Sequence, residues 1–256
     1  MKQQQLLLRD IHYSYPDGFQ AINGLSFSIR QGESVGIIGA NGAGKSTLLM
    51  LLMGILFPSR GEILLRKMPV TKKTLPKLRE KLGMVFQDPD DQLFMTTVYD
   101  DVAFGPRNYK LDETEVKLRV ERSLELVGIS HLYDRAPFKL SEGQKRAAAI
   151  ASILSMQPEI LVMDEPTAAL DPKSRRKVMN LLHNIGQTKI ITSHDLDMVF
   201  DLCERTIVLK NGVIAADGLT SEILADAGLM EACGLELPPA LQNCPLCGSK
   251  KSGIQV

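Results

Sequence analysis

Residues Gly39–Ser46 read G-A-N-G-A-G-K-S, preceded by the apolar run Ser34–Ile38 and running into Lys45–Leu52, which suits a helix. No other stretch restricts the possible folds as tightly. Glycine at the first and sixth positions followed by Lys-Ser fits the phosphate-binding loop, a turn joining a strand to a helix N-terminus. The N–H groups of such a loop point inward around phosphate oxygens, and a Cβ at the glycines would stand in the way. The helix that starts near Lys45 directs its positive dipole end to the same spot. On this reading Gly39, Ala40, Asn41, Gly42, Ala43, Gly44, Lys45, Ser46 and Thr47 cradle a nucleotide. Lys45 reaches the β- and γ-phosphates, and the Ser46 hydroxyl ligates Mg²⁺.

A second segment supports the first. Ile160–Met163 is an apolar run that stops at Asp164-Glu165, the pattern of a buried parallel strand carrying acids to a nucleotide. Further strands are expected at Leu6–Tyr15 and Leu25–Ile29, joined about Pro16-Asp17-Gly18, and at Gly61–Leu65, Leu82–Phe86 and Lys189–Thr192. Asn211-Gly212 predicts a hairpin between Thr206–Leu209 and Val213–Ala216. Helices are expected at Asp112–Val127, with Val116, Val120, Leu124 and Val127 on one face, at Ser141–Ser155 capped by Ser141, and at Pro172–Ile185. The stretch from Gln87 to Met156 thus reads as a helical insertion between two strands of a core sheet.

Composition narrows the partners. Lys+Arg and Asp+Glu both number 30, so bulk charge gives no case for nucleic acid or an anionic membrane surface. Trp is absent and aromatics are 5%, which disfavours a stacking platform for single strands. The longest apolar stretch, Leu48–Phe57, falls far short of the roughly twenty residues needed to span a bilayer, and is expected to be a buried helix. Met1 leads into a strand-like segment with no signal-peptide pattern. Four cysteines, Cys203, Cys233, Cys244 and Cys247, do not make a disulfide framework, which predicts a reducing cytoplasmic compartment. Cys244-Pro245-Leu246-Cys247 is half of a zinc knuckle with no second pair nearby. Two tail thiols are the expectation, a site shared across a dimer the alternative.

Leu140–Gln144 read L-S-E-G-Q. With this segment, the two described above, and Tyr15, Gln87, Asp171 and His194 at suitable spacings, the chain resembles the ATP-binding-cassette ATPases over roughly Leu6 to Asp217. The resemblance implies an α/β fold of the P-loop NTPase type: a RecA-like core sheet with an antiparallel β layer and an inserted helical subdomain. The expected ATP-binding domain spans residues 6–237, with the insertion at about 88–157 and a tail at 238–256. ATP and Mg²⁺ are the implied cofactors. Asp164 becomes the Mg²⁺ partner and Glu165 the general base, against the alternative of a solvated loop carboxylate. Gln87 is expected to touch the metal and the attacking water, or to be no more than a polar strand end. His194 is expected to bond the γ-phosphate or hold the water of Glu165. Tyr15 is the expected adenine-stacking ring, with Tyr13 as the alternative. Ser141, Gly143 and Gln144 would grip the γ-phosphate held by an opposite subunit, with Asp171 at the junction. The third signature position, usually glycine, is here Glu142, whose charge would be repelled by phosphate unless it points away.

Three longer segments resemble a narrower group, the ATPases of energy-coupling-factor transporters: Phe86–Phe94, Asp101–Asn108 and Ser193–Cys203. The last of these, with G-L-E-L-P at Gly234–Pro238, is most similar to the cobalt and nickel importers. That implies a homodimer on the cytoplasmic face of the membrane, partnered by a transmembrane coupling protein and a substrate-capture membrane protein, with no nucleic acid. The vitamin-importing branch is the runner-up. A soluble cassette ATPase acting on nucleic acid or the ribosome, and a non-catalytic nucleotide sensor, are the rival classes.

Overall fold

The structure, a computed structural model, describes residues 3–242. The tail cysteines Cys244 and Cys247 therefore lie outside the described residues. The strands are β1 (Gln4–Ser14), β2 (Gln20–Arg30), β3 (Ser34–Ile38), β4 (Arg60–Leu65), β5 (Met68–Pro69), β6 (Leu82–Val85), β7 (Ile160–Asp164), β8 (Thr188–Thr192), β9 (Arg205–Lys210) and β10 (Val213–Leu219). The helices are α1 (Lys45–Leu52), α2 (Leu75–Arg79), α3 (Val98–Asn108), α4 (Glu113–Leu126), α5 (Glu142–Leu154), α6 (Pro172–Asn184), α7 (Leu196–Leu202), α8 (Thr220–Ile223) and α9 (Ala227–Ala232).

Two sheets result. The core sheet has the order β10-β9-β3-β8-β7-β6, parallel except for the β9–β10 hairpin. Every residue of β3, β6 and β8 is buried, as expected of parallel strands covered on both faces. Alternation along the strands divides the core in two. Ile160 and Val162 join the cluster that packs α1 between this sheet and the antiparallel layer β2-β1-β4-β5. Leu161 and Met163 face a second cluster built on α5, α6 and α7. Between β6 and β7 the chain holds only helices and turns, and α3, α4 and α5 pack there around a third cluster that includes Val102, Val116 and Ala148.

Asn211 and Gly212 take φ of +49° and +75°, as a two-residue hairpin turn requires, and the Gly212 carbonyl accepts from Asn23 N at 2.8 Å. The helix expected at Lys45–Leu52 is observed with those bounds, but the reading of the whole apolar run 48–57 as buried helix is corrected: α1 stops at Leu52, Gly54 turns the chain with φ +64°, and Ile55 is exposed. The helices α2, α3, α7, α8 and α9 have no counterpart in the expectations. In α3 the Gly105-Pro106 pair disguises a helix whose proline sits in the last turn. The short α7 starts directly beyond His194, capped by Asp195, which accepts from Met198 N at 3.0 Å. The beginning of the expected tail is packed, since Ala240 N donates to Asp197 Oδ1 at 3.0 Å and Leu241 lies against the second cluster.

Candidate functional site

The carboxyl ends of β3, β6, β7 and β8 converge where an open parallel sheet binds ligands. Beyond β3, the loop wraps a cavity of about 370 Å³ whose wall is made by residues 41–47, Gln87, Asp164, Glu165 and His194, together with Phe19 and Ala21. The glycines are demanded by close approach. A Cβ on Gly39 would collide with the Leu209 carbonyl, and one on Gly44, at φ +105°, would lie 2.7 Å from the Ala21 carbonyl. Lys45 is buried with its Nζ donating to the carbonyls of Gly39 at 2.7 Å and Ala40 at 3.2 Å. Burial pulls its pKa down while the negative charges of Glu165 and Asp164 oppose that shift. A cation is thus held on the loop with two carboxylates for company.

On the opposite side, Asp164 Oδ2 lies 3.4 Å from Ser46 Oγ, and the Thr192 hydroxyl donates to its other oxygen. Glu165 sits at φ +49°, an uncommon backbone state for a side chain with a Cβ and one found at functional sites. Its Oε2 accepts from Ser193 Oγ at 3.0 Å, whereas Oε1 is buried without any partner. His194 Nε2 is 3.8 Å from that free oxygen.

Not every expected residue lies in this cavity. Tyr15 is not on its wall: its hydroxyl is 3.0 Å from Thr47 Oγ1 and its ring meets Tyr13 edge-on at 5.1 Å. The aromatic on the wall is Phe19, 55% exposed in the β1–β2 turn, and the turn residues between two strands carried no signal for it. Ser141, Gly143, Gln144 and Asp171 line a separate cavity of about 580 Å³ between α4, α5 and α6. There Gln144 Oε1 accepts from Ser141 N at 3.0 Å, closing the first turn of α5. Asp171 caps α6 by accepting from Lys173 N and Ser174 N, and the Ser174 contacts hold its carboxyl below the usual range. Gly143 has no room for a Cβ, because Ser174 of α6 occupies that space. Glu142 points to Lys145, 3.4 Å away, as its first-turn position favours.

The Gln87 loop is fastened to α5 by a residue that sequence reasoning missed. Arg146, 2% exposed, donates to the Phe86 carbonyl at 2.7 Å and the Gln87 carbonyl at 2.6 Å. Gln92, polar and loop-like in sequence, is likewise a tie: its Nε2 donates to Ala149 O at 2.7 Å and Ser152 Oγ at 2.9 Å. Beside them a groove of about 520 Å³ shares Ser46, Gln87 and Asp164 with the phosphate cavity and carries Phe86, Asp91 and Glu142 on its walls.

Residues 22–168 match the family model described as ABC transporter. The chain belongs to the ABC transporter ATPase family. Its members hydrolyse ATP. An ABC transporter ATP-binding protein of Geobacter sulfurreducens is 56% identical, with 94% of this chain and 97% of that protein aligned. The energy-coupling factor transporter ATP-binding protein EcfA of Methanothermobacter thermautotrophicus is 48% identical over 90% of this chain and 76% of that one. Among solved structures, cbiO1 of Clostridium perfringens, described as part of the ABC transporter complex cbiONQ, superposes with a TM-score of 0.81 at 42% identity, covering 90% of this chain and 94% of that one. A dimeric ABC cassette bound to ADP and Pi superposes with a TM-score of 0.75 at 28% identity, covering 84% and 98%.

The donor set suits Mg²⁺ carried in with phosphates. Ser46, Gln87 and Asp164 present hard oxygen ligands. Among the described residues no three His, Cys, Asp or Glu side chains gather to hold a metal unaided. An ion here needs the substrate's oxygens to complete its shell, as Mg²⁺ bound with a nucleotide has them. No helix among the described residues is long and apolar enough to cross a membrane.

Proposed function

We propose that this ABC ATPase is the ATP-hydrolysing subunit of an energy-coupling-factor importer that takes up a transition-metal ion, cobalt or nickel. The observation that carries the catalytic half is the buried, unpartnered Oε1 of Glu165 on the wall of the phosphate cavity. A carboxylate oxygen withdrawn from water and left without a donor is built to receive one, and here that donor is the attacking water.

In this reading residues 41–47 bind the triphosphate through backbone N–H groups, and Lys45 leaves its own loop carbonyls for the β- and γ-phosphates. Ser46, Asp164 and Gln87 hold Mg²⁺, which supplies neutralisation of phosphate charge. Water attacks the γ-phosphorus, its proton passes to Glu165 Oε1, and the bond from that phosphorus to the bridging oxygen breaks with the electron pair left on ADP. His194 holds the γ-phosphate side of the arrangement, and the adenine extends past Phe19 at the rim toward Tyr15, which lies outside the phosphate cavity. Ser141 and Gly143 serve the γ-phosphate of a second copy, because in one chain they open on a different cavity. The dimeric cassette similar to this chain supports that arrangement.

The sequence, the relatives and the groove at Gln87 support the reading of cargo and coupling. The similarity to EcfA supports an energy-coupling-factor importer, and the likeness of Ser193–Cys203 and Gly234–Pro238 to cobalt and nickel importers supports a metal over a vitamin. The groove adjoins the nucleotide through Gln87, and exposed Asp91 and Phe94 offer charge and apolar surface to a basic helix of a transmembrane coupling protein. Metal uptake by cells carrying the whole transporter tests this. Wild type should accumulate cobalt or nickel, and Asp91→Lys should lose most of that uptake with the isolated subunit's ATPase kept. Undiminished uptake in Asp91→Lys would remove the docking site. Uptake of a vitamin in place of metal would remove the cargo assignment.

A further inference from the structure

We infer that Ser193 is a positioning residue for hydrolysis: its hydroxyl holds one oxygen of Glu165 so that the other is free for water. The inference rests on the reading of Glu165 as the base. Ser193 is 1% exposed at the end of β8, and its Oγ donates to Glu165 Oε2 at 3.0 Å. The same Oγ accepts from Asp195 N at 3.0 Å. An N–H can only donate, so that contact occupies a lone pair of the hydroxyl and leaves its proton for the carboxylate. The direction of the bond is thereby set.

The consequence is asymmetry within one carboxylate. Oε2 is satisfied and pinned, while Oε1 is buried with no partner. A carboxylate with both oxygens free could rotate about its last torsion, which is broad and roughly two-fold. Glu165 needs the restraint all the more because Lys45 and His194 stand on the same cavity wall and could attract either oxygen.

The pin is itself anchored. Arg175 of α6 forks onto Asp195 with Nε–Oδ2 and Nη2–Oδ1 distances of 2.7 and 3.0 Å. Asp195 also caps α7. A path of direct contacts therefore runs from the helix behind Asp171 through Asp195 and Ser193 to Glu165. Rigid support of this kind for a reacting group is what lets a fixed distance survive thermal motion.

The test compares Ser193→Ala and Ser193→Thr with wild type and Glu165→Gln, measuring kcat, KM and affinity for ATP. Loss of a hydrogen bond to a charged group predicts a fall in kcat of roughly tenfold or more for Ser193→Ala, with KM and ATP affinity within about twofold. Ser193→Thr, which keeps the hydroxyl, should recover most of kcat. A purely packing role would move affinity and stability without that split. Should Ser193→Ala not bind ATP at all, Ser193→Cys, close in size and a weak donor, carries the same expectation of lowered kcat at kept affinity. Wild-type kcat in Ser193→Ala with Glu165→Gln inactive overturns the role of Ser193 alone. Equal impairment of the Ala and Thr variants overturns it too, since volume would then be what matters. Wild-type turnover in Glu165→Gln overturns the reading of Glu165 on which it rests.

Discussion

Lys45 and Glu165 face one cavity but do different work, and substitution separates them. Under the proposed mechanism Lys45 contacts phosphate in ground and transition states alike, so Lys45→Ala should weaken ATP binding itself. Under the same mechanism Glu165 acts on the water, so Glu165→Gln should bind ATP as wild type does and lose nearly all turnover. Steady-state hydrolysis beside equilibrium nucleotide binding separates the two cases, and near-normal turnover in Glu165→Gln contradicts the assignment. How legible each residue was depended on where its signal lay. Lys45, Ser46, Asp164 and Glu165 stand inside runs whose spacing has a mechanical reason, a glycine turn or an apolar strand ending in acids. Arg146, Ser193 and Phe19 have no such local reason. Arg146 matters because α5 happens to pass the carbonyls of Phe86 and Gln87, a contact across 60 positions that no window of sequence displays.

Among the elements, those with a clean period or punctuation were readable. The strand β3, the helix α1 that follows it, and the β9–β10 hairpin emerged close to their observed bounds. The helices α3 and α7 did not, because Gly105-Pro106 looks like a break and seven residues are too few to display a helical face. The link between α6 and α7 belongs to the same class of hidden contact. Burial alone would push the Asp195 carboxyl up, yet the Arg175 fork, Met198 N and the Thr167 hydroxyl outweigh it and hold it below its ordinary value of 3.8. A carboxylate with a lowered folded-state pKa stabilises above its unfolded value, and that stabilisation is lost as pH falls through the folded one. Asp195→Asn should therefore be less stable than wild type at neutral pH, by about 1.5 kcal/mol for lost hydrogen bonds to charge. The gap should narrow below pH 3.8 as the wild-type carboxylate protonates. Denaturant midpoints at both pH values check this, and a gap that is independent of pH contradicts the ion pair.

At the scale of the whole molecule, one chain carries two half-sites that do not meet. Residues 41–47 with Asp164, Glu165 and His194 line one cavity, while Ser141, Gly143 and Asp171 line another beyond α5. Under the proposed function the N-terminus of α5, which opens on a different cavity from its own chain's phosphate loop, serves a nucleotide held by a second copy. Two copies placed head-to-tail about a two-fold axis complete two sites with one kind of contact, the closed arrangement most homodimers use. In that proposed dimer the helical segment between β6 and β7 would act as the lever, since Gln87 lines the phosphate cavity and is fastened by Arg146 to α5, whose N-terminus would reach the other site. Nucleotide becomes part of the interface, so dimerisation should depend on it and should persist when hydrolysis is blocked. Light scattering of the Glu165→Gln protein, with and without saturating Mg·ATP, tests this most directly. The account predicts a mass near twice 28.2 kDa with ATP and near 28.2 kDa without it. A monomer in both conditions would contradict it.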